Sequence, residues 1–301
     1  MTKKIIDIIS TGSACPPENL ENACSYLVKK GFLPRTPSAF FSDHPLYVCH
    51  DEQRFLNIKE ALYAEDSNLI WCLRGGCGTS RLLPNLLSLE PPKKKKTLIG
   101  FSDVTALHLF LTQHWDWKTI HGPTLNSLIA NGAQTNSVIS ALDHLIQGET
   151  TSIDLPLTPL NEGAHLQHLL QGHLAGGNLA LTQRSMGTPW QLDTSGKILF
   201  FEDVNEAPYR IAEILDHLKH ASLFKNAQAV IFGQFTSENP DENYETLLKH
   251  ILFDFAQEAN FPVFSDLAVG HTNNNHPLQL NAPVTLTSKK GLLSLRQTIT
   301  L

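Results

Sequence analysis

The first third of the chain alternates short apolar runs with stretches of helical spacing. Residues 5–9, 69–73 and 97–99 are nearly continuous apolar runs, which are typical of strands covered on both faces. Apolar positions with helical spacing accompany these runs at residues 19–30, 54–64, 80–87 and 104–113. The repetition of strand, turn and helix predicts βαβ units, and hence an α/β fold with a mostly parallel sheet flanked by helices.

A change in pattern near the middle of the chain predicts two domains. Residues 148–172 turn to Thr, Pro, Gln and His without clear periodicity, which indicates a linker. We therefore expect an N-terminal domain over residues 1–147 and a C-terminal domain over residues 173–301. Strand and helix patterns resume in the second half, at residues 197–201, 209–218, 229–232, 244–259, 284–287 and 292–299 and near residue 263.

Composition and charge narrow the class of protein. The 301 residues are 42% hydrophobic and 17% charged, which is ordinary for a globular protein and argues against disorder. A formal charge of −6 argues against a nucleic-acid partner, because phosphate neutralisation needs a clustered Lys/Arg surface. The one dense basic run, residues 93–96, is too short to define a groove and predicts a solvated loop.

The chain carries no sign of secretion, membrane insertion or metal binding. Asp7 interrupts the apolar start that a signal peptide needs, and no segment reaches the ~18–20 apolar residues of a membrane helix. Five cysteines, an odd number without a CxxC pair, indicate reduced thiols and a cytoplasmic location. The absence of HExxH, EF-hand and zinc-spaced motifs predicts that no metal is bound.

The first candidate for chemistry is Ser102, in the segment GFSDVT at residues 100–105. A serine at a sharp strand-to-helix turn projects its hydroxyl outward, and the amide of the next residue can face a developing oxyanion. Val104 stands where the usual G-x-S-x-G motif has its second glycine. The alternative is that Ser102 or Asp103 simply caps the following helix, and the pattern alone favours this cap.

Two further predicted strand ends carry polar side chains. Glu202 ends an apolar strand and is placed to orient an imidazole. Taken alone, it is more simply interpreted as a loop carboxylate that pairs with Arg210 or caps the next helix, and Asp203 and Glu206 compete for the orienting role. His271 stands in a Gly/Asn loop after a strand-like stretch. Open α/β sheets bind their ligands beyond the carboxyl ends of the strands. Ser102, His271 and Glu202, each near a predicted strand end, are therefore interpreted as a nucleophile, its base and the carboxylate that orients the base.

The glycine-rich segment GGCGT at residues 75–79 admits three interpretations. Cys77 could be a rival nucleophile of the glutamine-amidotransferase kind, although Thr79 breaks the G-x-C-x-G match. The segment could also bind phosphate, but it lacks the Gly-Lys-Ser/Thr ending. The interpretation we favour is that its free amides complete an oxyanion hole for Ser102.

Several motifs in this order and spacing resemble the LD-carboxypeptidases, the muramoyltetrapeptide carboxypeptidase family of serine peptidases. The resemblance covers nearly the whole chain. The matching segments are RGGCGTSRLL at 74–83, GFSDVTA at 100–106, HGP at 121–123, GGNL at 176–179, GTPW at 187–190, FEDVNEAPYR at 201–210 and GH at 270–271.

The resemblance implies a fold and a set of site residues. The N-terminal domain would be similar to the glutamine-amidotransferase-like sheet, and the active site would lie in a cleft between it and a C-terminal α/β domain. By motif, Ser102 matches the family's nucleophile, Glu202 its acid and His271 its base. The backbone amides of Asp103 and Gly76 would form the oxyanion hole. Family members are usually homodimers without a cofactor.

The resemblance also implies a substrate and a product. The enzyme would cleave the murein tetrapeptide and release D-alanine during cell-wall recycling. Such an exopeptidase must bind a free carboxylate, and Arg74, Arg81 and Arg184 are the candidates for that contact. Cys77 stands where the family often has Tyr, so substrate preference stays open. The alternatives are a related hydrolase that confers self-immunity to a microcin C-type peptide antibiotic, and a murein-peptide binding protein without catalysis.

Overall fold

The computed structural model describes residues 4–130, 134–165, 169–289 and 291–301. Its helices are α1 Pro17–Lys29, α2 Asp51–Tyr63, α3 Leu83–Leu87, α4 Thr105–His114, α5 Leu125–Ile129, α6 Asn136–Gln147, α7 Leu179–Ser185, α8 Pro208–His220 and α9 Tyr244–Glu258. Its strands are β1 Ile5–Ile9, β2 Leu33–Arg35, β3 Ser67–Cys72, β4 Thr97–Gly100, β5 Thr119–His121, β6 Thr151–Pro159, β7 Leu170–Asn178, β8 Lys197–Val204, β9 Ala229–Thr236, β10 Val263–Ser265, β11 Leu278–Leu280, β12 Pro283–Lys289 and β13 Leu292–Ile299.

The N-terminal half forms a sheet in the order β11-β5-β4-β3-β1-β2. The strands β1 to β5 pair in parallel, and helices connect them, so the predicted parallel sheet is confirmed. The apolar runs at 5–9, 69–73 and 97–99 all lie in its centre, and strands buried on both faces need such runs. The edge strand β11 comes from the C-terminal half and pairs antiparallel with β5.

The C-terminal half forms a closed barrel in the order β10-β6-β13-β12-β7-β8-β9. The prediction of a linker at residues 148–172 is wrong, because this segment contains strand β6 and the start of β7. Along β6 the side chains of Ile153, Leu155 and Leu157 are buried, and the residues between them are exposed. This strict alternation is typical of a strand with one covered face. Residues 166–168 of the predicted linker lie outside the described residues.

The sheet and the barrel are joined where the backbone at the end of β7 contacts the side chain of Thr105. The Asn178 amide at the end of β7 donates to the Thr105 hydroxyl at 3.1 Å, where α4 begins. A Cβ on Gly177 would lie 2.9 Å from the Thr105 methyl carbon, so only glycine allows this approach. The carboxyl ends of β4 and β7 therefore meet, and the strand ends that carry the candidate residues come from both halves.

The basic run at residues 93–96 departs from its prediction at one position. Lys96 is buried and its ammonium group contacts the carboxylate of Asp7, a residue of β1, at 2.7 Å. The prediction of a solvated loop is wrong for this residue, because Lys96 directly precedes β4 and enters the interior with it.

Candidate active site

Ser102 lies at a strained turn between β4 and α4. It begins a single 3₁₀ turn, Ser102–Val104, and has a φ of 65°, in the left-handed region that residues other than glycine rarely adopt. Neither this turn nor α4 has a side-chain cap, so the interpretation of Ser102 or Asp103 as a helix cap is wrong. A serine held in this conformation between strand and helix is the geometry of a nucleophile elbow.

Asp103 fixes this turn to the glycine-rich loop, residues 75–79. Its buried carboxylate accepts from the Thr79 amide at 2.9 Å and from the Thr79 hydroxyl at 2.6 Å. The hydroxyls of Thr79 and Thr11 share a further hydrogen bond of 2.6 Å. Charge-assisted hydrogen bonds of this kind are strong when buried, so the loop and the Ser102 turn form one unit.

The glycine-rich loop lies directly against Ser102. A Cβ on Gly75 would lie 3.2 Å from the Ser102 Cβ and 3.4 Å from the Asp103 nitrogen. Gly76 has a φ of +95° and is exposed. Within the described residues, the amides of Asp103 and Gly76 donate no hydrogen bond to protein. Free amides beside a serine hydroxyl are the groups that an oxyanion hole requires.

Cys77, the rival nucleophile, is exposed on the same loop. Its amide donates to the Ser13 hydroxyl at 3.2 Å, and its sulfur lies 3.6 Å from the same oxygen. In the described parts of the chain no histidine is hydrogen-bonded to this thiol, whereas the imidazole of His271 pairs with Glu202. The geometry therefore does not place a base at Cys77.

Glu202 and His271 are paired at the end of the barrel strand β8. The Nδ1 of His271 lies 2.7 Å from Oε2 of Glu202, whose side chain is fully buried. Burial alone would lower the pKa of His271, but the charge and hydrogen bond of Glu202, with the charge of Asp203, outweigh it and raise this pKa. A carboxylate on Nδ1 leaves Nε2 as the basic nitrogen.

Asp203, a competitor for the orienting role, has a different task. Its carboxylate accepts from the Asn178 side chain at 2.8 Å and from the Ala180 amide at 2.9 Å, so it holds the start of α7. Burial, and then the charge of Glu202, raises the pKa of Asp203 to about 6. Glu206 shares no hydrogen bond with His271 among the described residues. Of the three predicted carboxylates, the structure pairs Glu202 with the imidazole.

The Ser102 turn and the Glu202–His271 pair come together at the junction of sheet and barrel. The ring of Phe101, the residue before Ser102, packs against the His271 ring with centroids 4.7 Å apart. The Ser102 hydroxyl and the His271 ring share no hydrogen bond within the described residues. Catalytic hydrogen bonds are often long in the absence of substrate.

Asn275, which no motif in the sequence marks, positions the His271 loop. Its Oδ1 accepts from the Gly270 amide at 3.0 Å, and its Nδ2 is buried without a partner among the described residues. The Gln134 side chain of the N-terminal half donates to the Thr272 carbonyl at 3.2 Å and holds the same loop. The only signal in the sequence is an Asn-rich loop, which does not single out one residue.

The described part of the chain holds neither a metal-ligand cluster nor a helix that could span a membrane. Among residues 4–130, 134–165, 169–289 and 291–301, no cluster of three or more His, Cys, Asp or Glu side chains is arranged to hold a metal ion. None of the helices in this part of the chain has the length and apolar character needed to span a membrane. A strained serine, free loop amides and a Glu–His pair are the components of a serine hydrolase site.

Comparison with known proteins identifies the family. The chain matches the LD-carboxypeptidase N-terminal domain over residues 6–122 and the LD-carboxypeptidase C-terminal domain over residues 171–286. The murein tetrapeptide carboxypeptidase of Pseudomonas aeruginosa is 30% identical over 243 residues, which cover 74% of each chain. This chain therefore belongs to the LD-carboxypeptidase family and is a serine carboxypeptidase.

Solved structures agree with this assignment. The muramoyltetrapeptide carboxypeptidase from Oxalobacter formigenes superposes with a TM-score of 0.83 at 27% identity, covering 97% of this chain and 98% of that one. The microcin C7 self-immunity protein MccF has the same fold, with a TM-score of 0.78 at 18% identity, covering 99% of this chain and 97% of that one. The two-domain α/β fold is thus confirmed.

Proposed function

We propose that this chain hydrolyses the terminal L-to-D peptide bond of murein tetrapeptides and releases D-alanine, in the cytoplasm, during cell-wall recycling. The observation that carries the proposal is the 2.7 Å pairing of His271 with buried Glu202 beside the strained Ser102 turn. Relatives named as murein tetrapeptide and muramoyltetrapeptide carboxypeptidases support the substrate. The site would lie in a cleft between the two domains, and the protein would act as a homodimer without a cofactor.

In the proposed reaction, the Ser102 hydroxyl attacks the scissile carbonyl while Nε2 of His271 takes its proton. Glu202 stabilises the imidazolium, and the amides of Asp103 and Gly76 bind the oxyanion. His271 then protonates the leaving amine, the C–N bond breaks, and an acyl-enzyme on Ser102 remains. Water, deprotonated by His271, adds to the acyl carbon and frees the serine.

The test is to incubate purified protein with murein tetrapeptide and to measure the released D-alanine by chromatography. The matched substrate ends in L-alanine in place of D-alanine. We expect release from the first peptide alone. Equal release from both would contradict the stereochemical part of the proposal, and binding of tetrapeptide without release would favour a binding protein without catalysis.

The structural similarity to MccF supports one second candidate, a self-immunity hydrolase for a microcin C-type peptide antibiotic. A peptidyl-adenylate analogue distinguishes the two functions. Faster turnover of this analogue than of murein tetrapeptide, compared by kcat/KM, would favour self-immunity.

A further inference from the structure

A carboxypeptidase that removes one residue must bind the free carboxylate of its substrate close to its nucleophile. The scissile carbonyl carbon and the terminal carboxylate carbon of the substrate lie within about one residue spacing, ~3.8 Å. A charged hydrogen bond to that carboxylate adds about 2.7–2.9 Å. A cation that binds this carboxylate would therefore stand within the reach of one side chain from Ser102. Because its planar fork matches a carboxylate, arginine is well suited to this task.

Most arginines of the chain are already neutralised. Within the described residues, five form ion pairs with carboxylates, and these are Arg35, Arg54, Arg81, Arg210 and Arg296. Arg81, one of the three candidates from the sequence, is held by Asp51 at 2.8 Å. Arg74 and Arg184 form no ion pair in the described part of the chain. The charge of either one is available to a substrate.

Arg74 lies at the site. It directly precedes Gly75, where a Cβ would lie 3.2 Å from the Ser102 Cβ. Arg74 is half-buried, and one nitrogen of its guanidinium donates to the Ala14 carbonyl, which leaves the other donors free of carboxylate partners. Burial raises the pKa of the neighbouring Cys15 thiol, and the Arg74 charge opposes that rise. The positive charge therefore acts at this end of the sheet.

Arg184 lies farther away. It belongs to the last turn of α7, six residues beyond Asn178 at the end of β7, and it is exposed. At the rise of an α-helix this separation is about 9 Å along the axis, away from the strand ends. We propose that Arg74 binds the free carboxylate at the substrate's C-terminus. This inference rests on the proposed function.

The test is a comparison of murein tetrapeptide with its C-terminal carboxamide, which removes only the terminal charge. Calorimetry in the Ser102→Ala background gives Kd without turnover. We expect the carboxylate form to bind on the order of 10- to 100-fold more tightly, the value of a charged hydrogen-bonding pair. Arg74→Gln should abolish this preference, Arg74→Lys should retain part of it, and Arg184→Gln should leave it unchanged.

The outcomes separate the two proposals. A preference that survives Arg74→Gln, or one that Arg184→Gln removes, overturns the role of Arg74 alone. Failure of Ser102→Ala to bind either peptide overturns the proposed substrate and, with it, the role of Arg74. If Arg74→Gln does not fold, as judged by thermal unfolding, complete loss of the preference in Arg184→Gln still overturns it. Tight binding of tetrapeptide by Ser102→Ala, without D-alanine release by the unmodified protein, overturns the proposed function instead.

Discussion

The carboxylate of Asp103 accepts two hydrogen bonds from Thr79, one from the amide at 2.9 Å and one from the hydroxyl at 2.6 Å. Asp103 follows Ser102, and Thr79 ends the glycine-rich loop. The pair therefore fixes the proposed nucleophile relative to the loop amides. An oxyanion hole depends on such fixed geometry, because its donors must not reorganise during the reaction.

Removing the Thr79 hydroxyl should loosen this connection. Thr79→Val keeps the shape but leaves the buried Asp103 carboxylate with one donor fewer, which costs about 1–3 kcal/mol of stability. We expect kcat to fall on the order of 10-fold or more, with a smaller change in KM. Urea unfolding and steady-state D-alanine release measure the two effects. The control Thr79→Ser retains the hydroxyl, and equal losses in both variants would contradict the prediction.

The three proposed catalytic side chains should differ in their contributions. Ser102→Ala and His271→Ala should each lower kcat on the order of 10⁴- to 10⁶-fold, as in other serine peptidases. Glu202→Gln should cost less, because the imidazole keeps its hydrogen bond while losing the charge that stabilises its protonated form. If any of these variants were as active as the unmodified protein, the assignment of that residue to catalysis would be contradicted. Cys77→Ala is the control and should retain activity.

Activity should fall at acid pH, because protonated His271 cannot accept the serine proton. Glu202 raises the pKa of His271, so the midpoint of kcat/KM should lie above about 6.5, the ordinary value for histidine. Glu202→Gln removes the charge but not the burial, and should move the midpoint to lower pH.

The groups that face His271 are Glu202 and Asp203 from β8 and buried His121 from β5. Because the pKa of Asp203 is raised to about 6, it also titrates in this range. Asp203→Asn is therefore the control. If His271 causes the loss of activity at acid pH, this variant should still show that loss. A flat profile between pH 5 and 7, in the unmodified protein or in Asp203→Asn, would contradict the role of His271.

The sequence predicted Ser102, Glu202 and His271 as site residues because the first two stand near the ends of apolar strands and the third lies in a Gly/Asn loop that follows one. The structure pairs the last two. The sequence predicted the parallel sheet for the same reason. It missed β11, because three residues carry too little periodicity and their partner β5 lies far away in sequence. It missed β6 because the exposed positions of that strand hold Ser, Asp, Pro and Thr, and such turn-forming residues conceal the alternation.

The basic run at residues 93–96 allows a matched test of burial. The Lys96 ammonium is fully buried and contacts the Asp7 carboxylate at 2.7 Å and the Ala61 carbonyl at 2.5 Å. Removing one partner of a buried ion pair leaves the other charge poorly compensated. We expect Lys96→Met to lower the free energy of unfolding by about 3 kcal/mol, the lower end of the usual range, because Arg35 still contacts Asp7 at 2.5 Å.

Its neighbour Lys95 is the control, since it pairs with Asp116 at 2.9 Å on the surface. Exposed pairs contribute less than about 1 kcal/mol, because water and salt screen the charges and the long side chain loses entropy. Lys95→Met should therefore change the unfolding midpoint in urea only slightly, with the same m-value as the unmodified protein. Equal destabilisation by the two substitutions would show that the Lys96–Asp7 pair adds nothing beyond a surface contact.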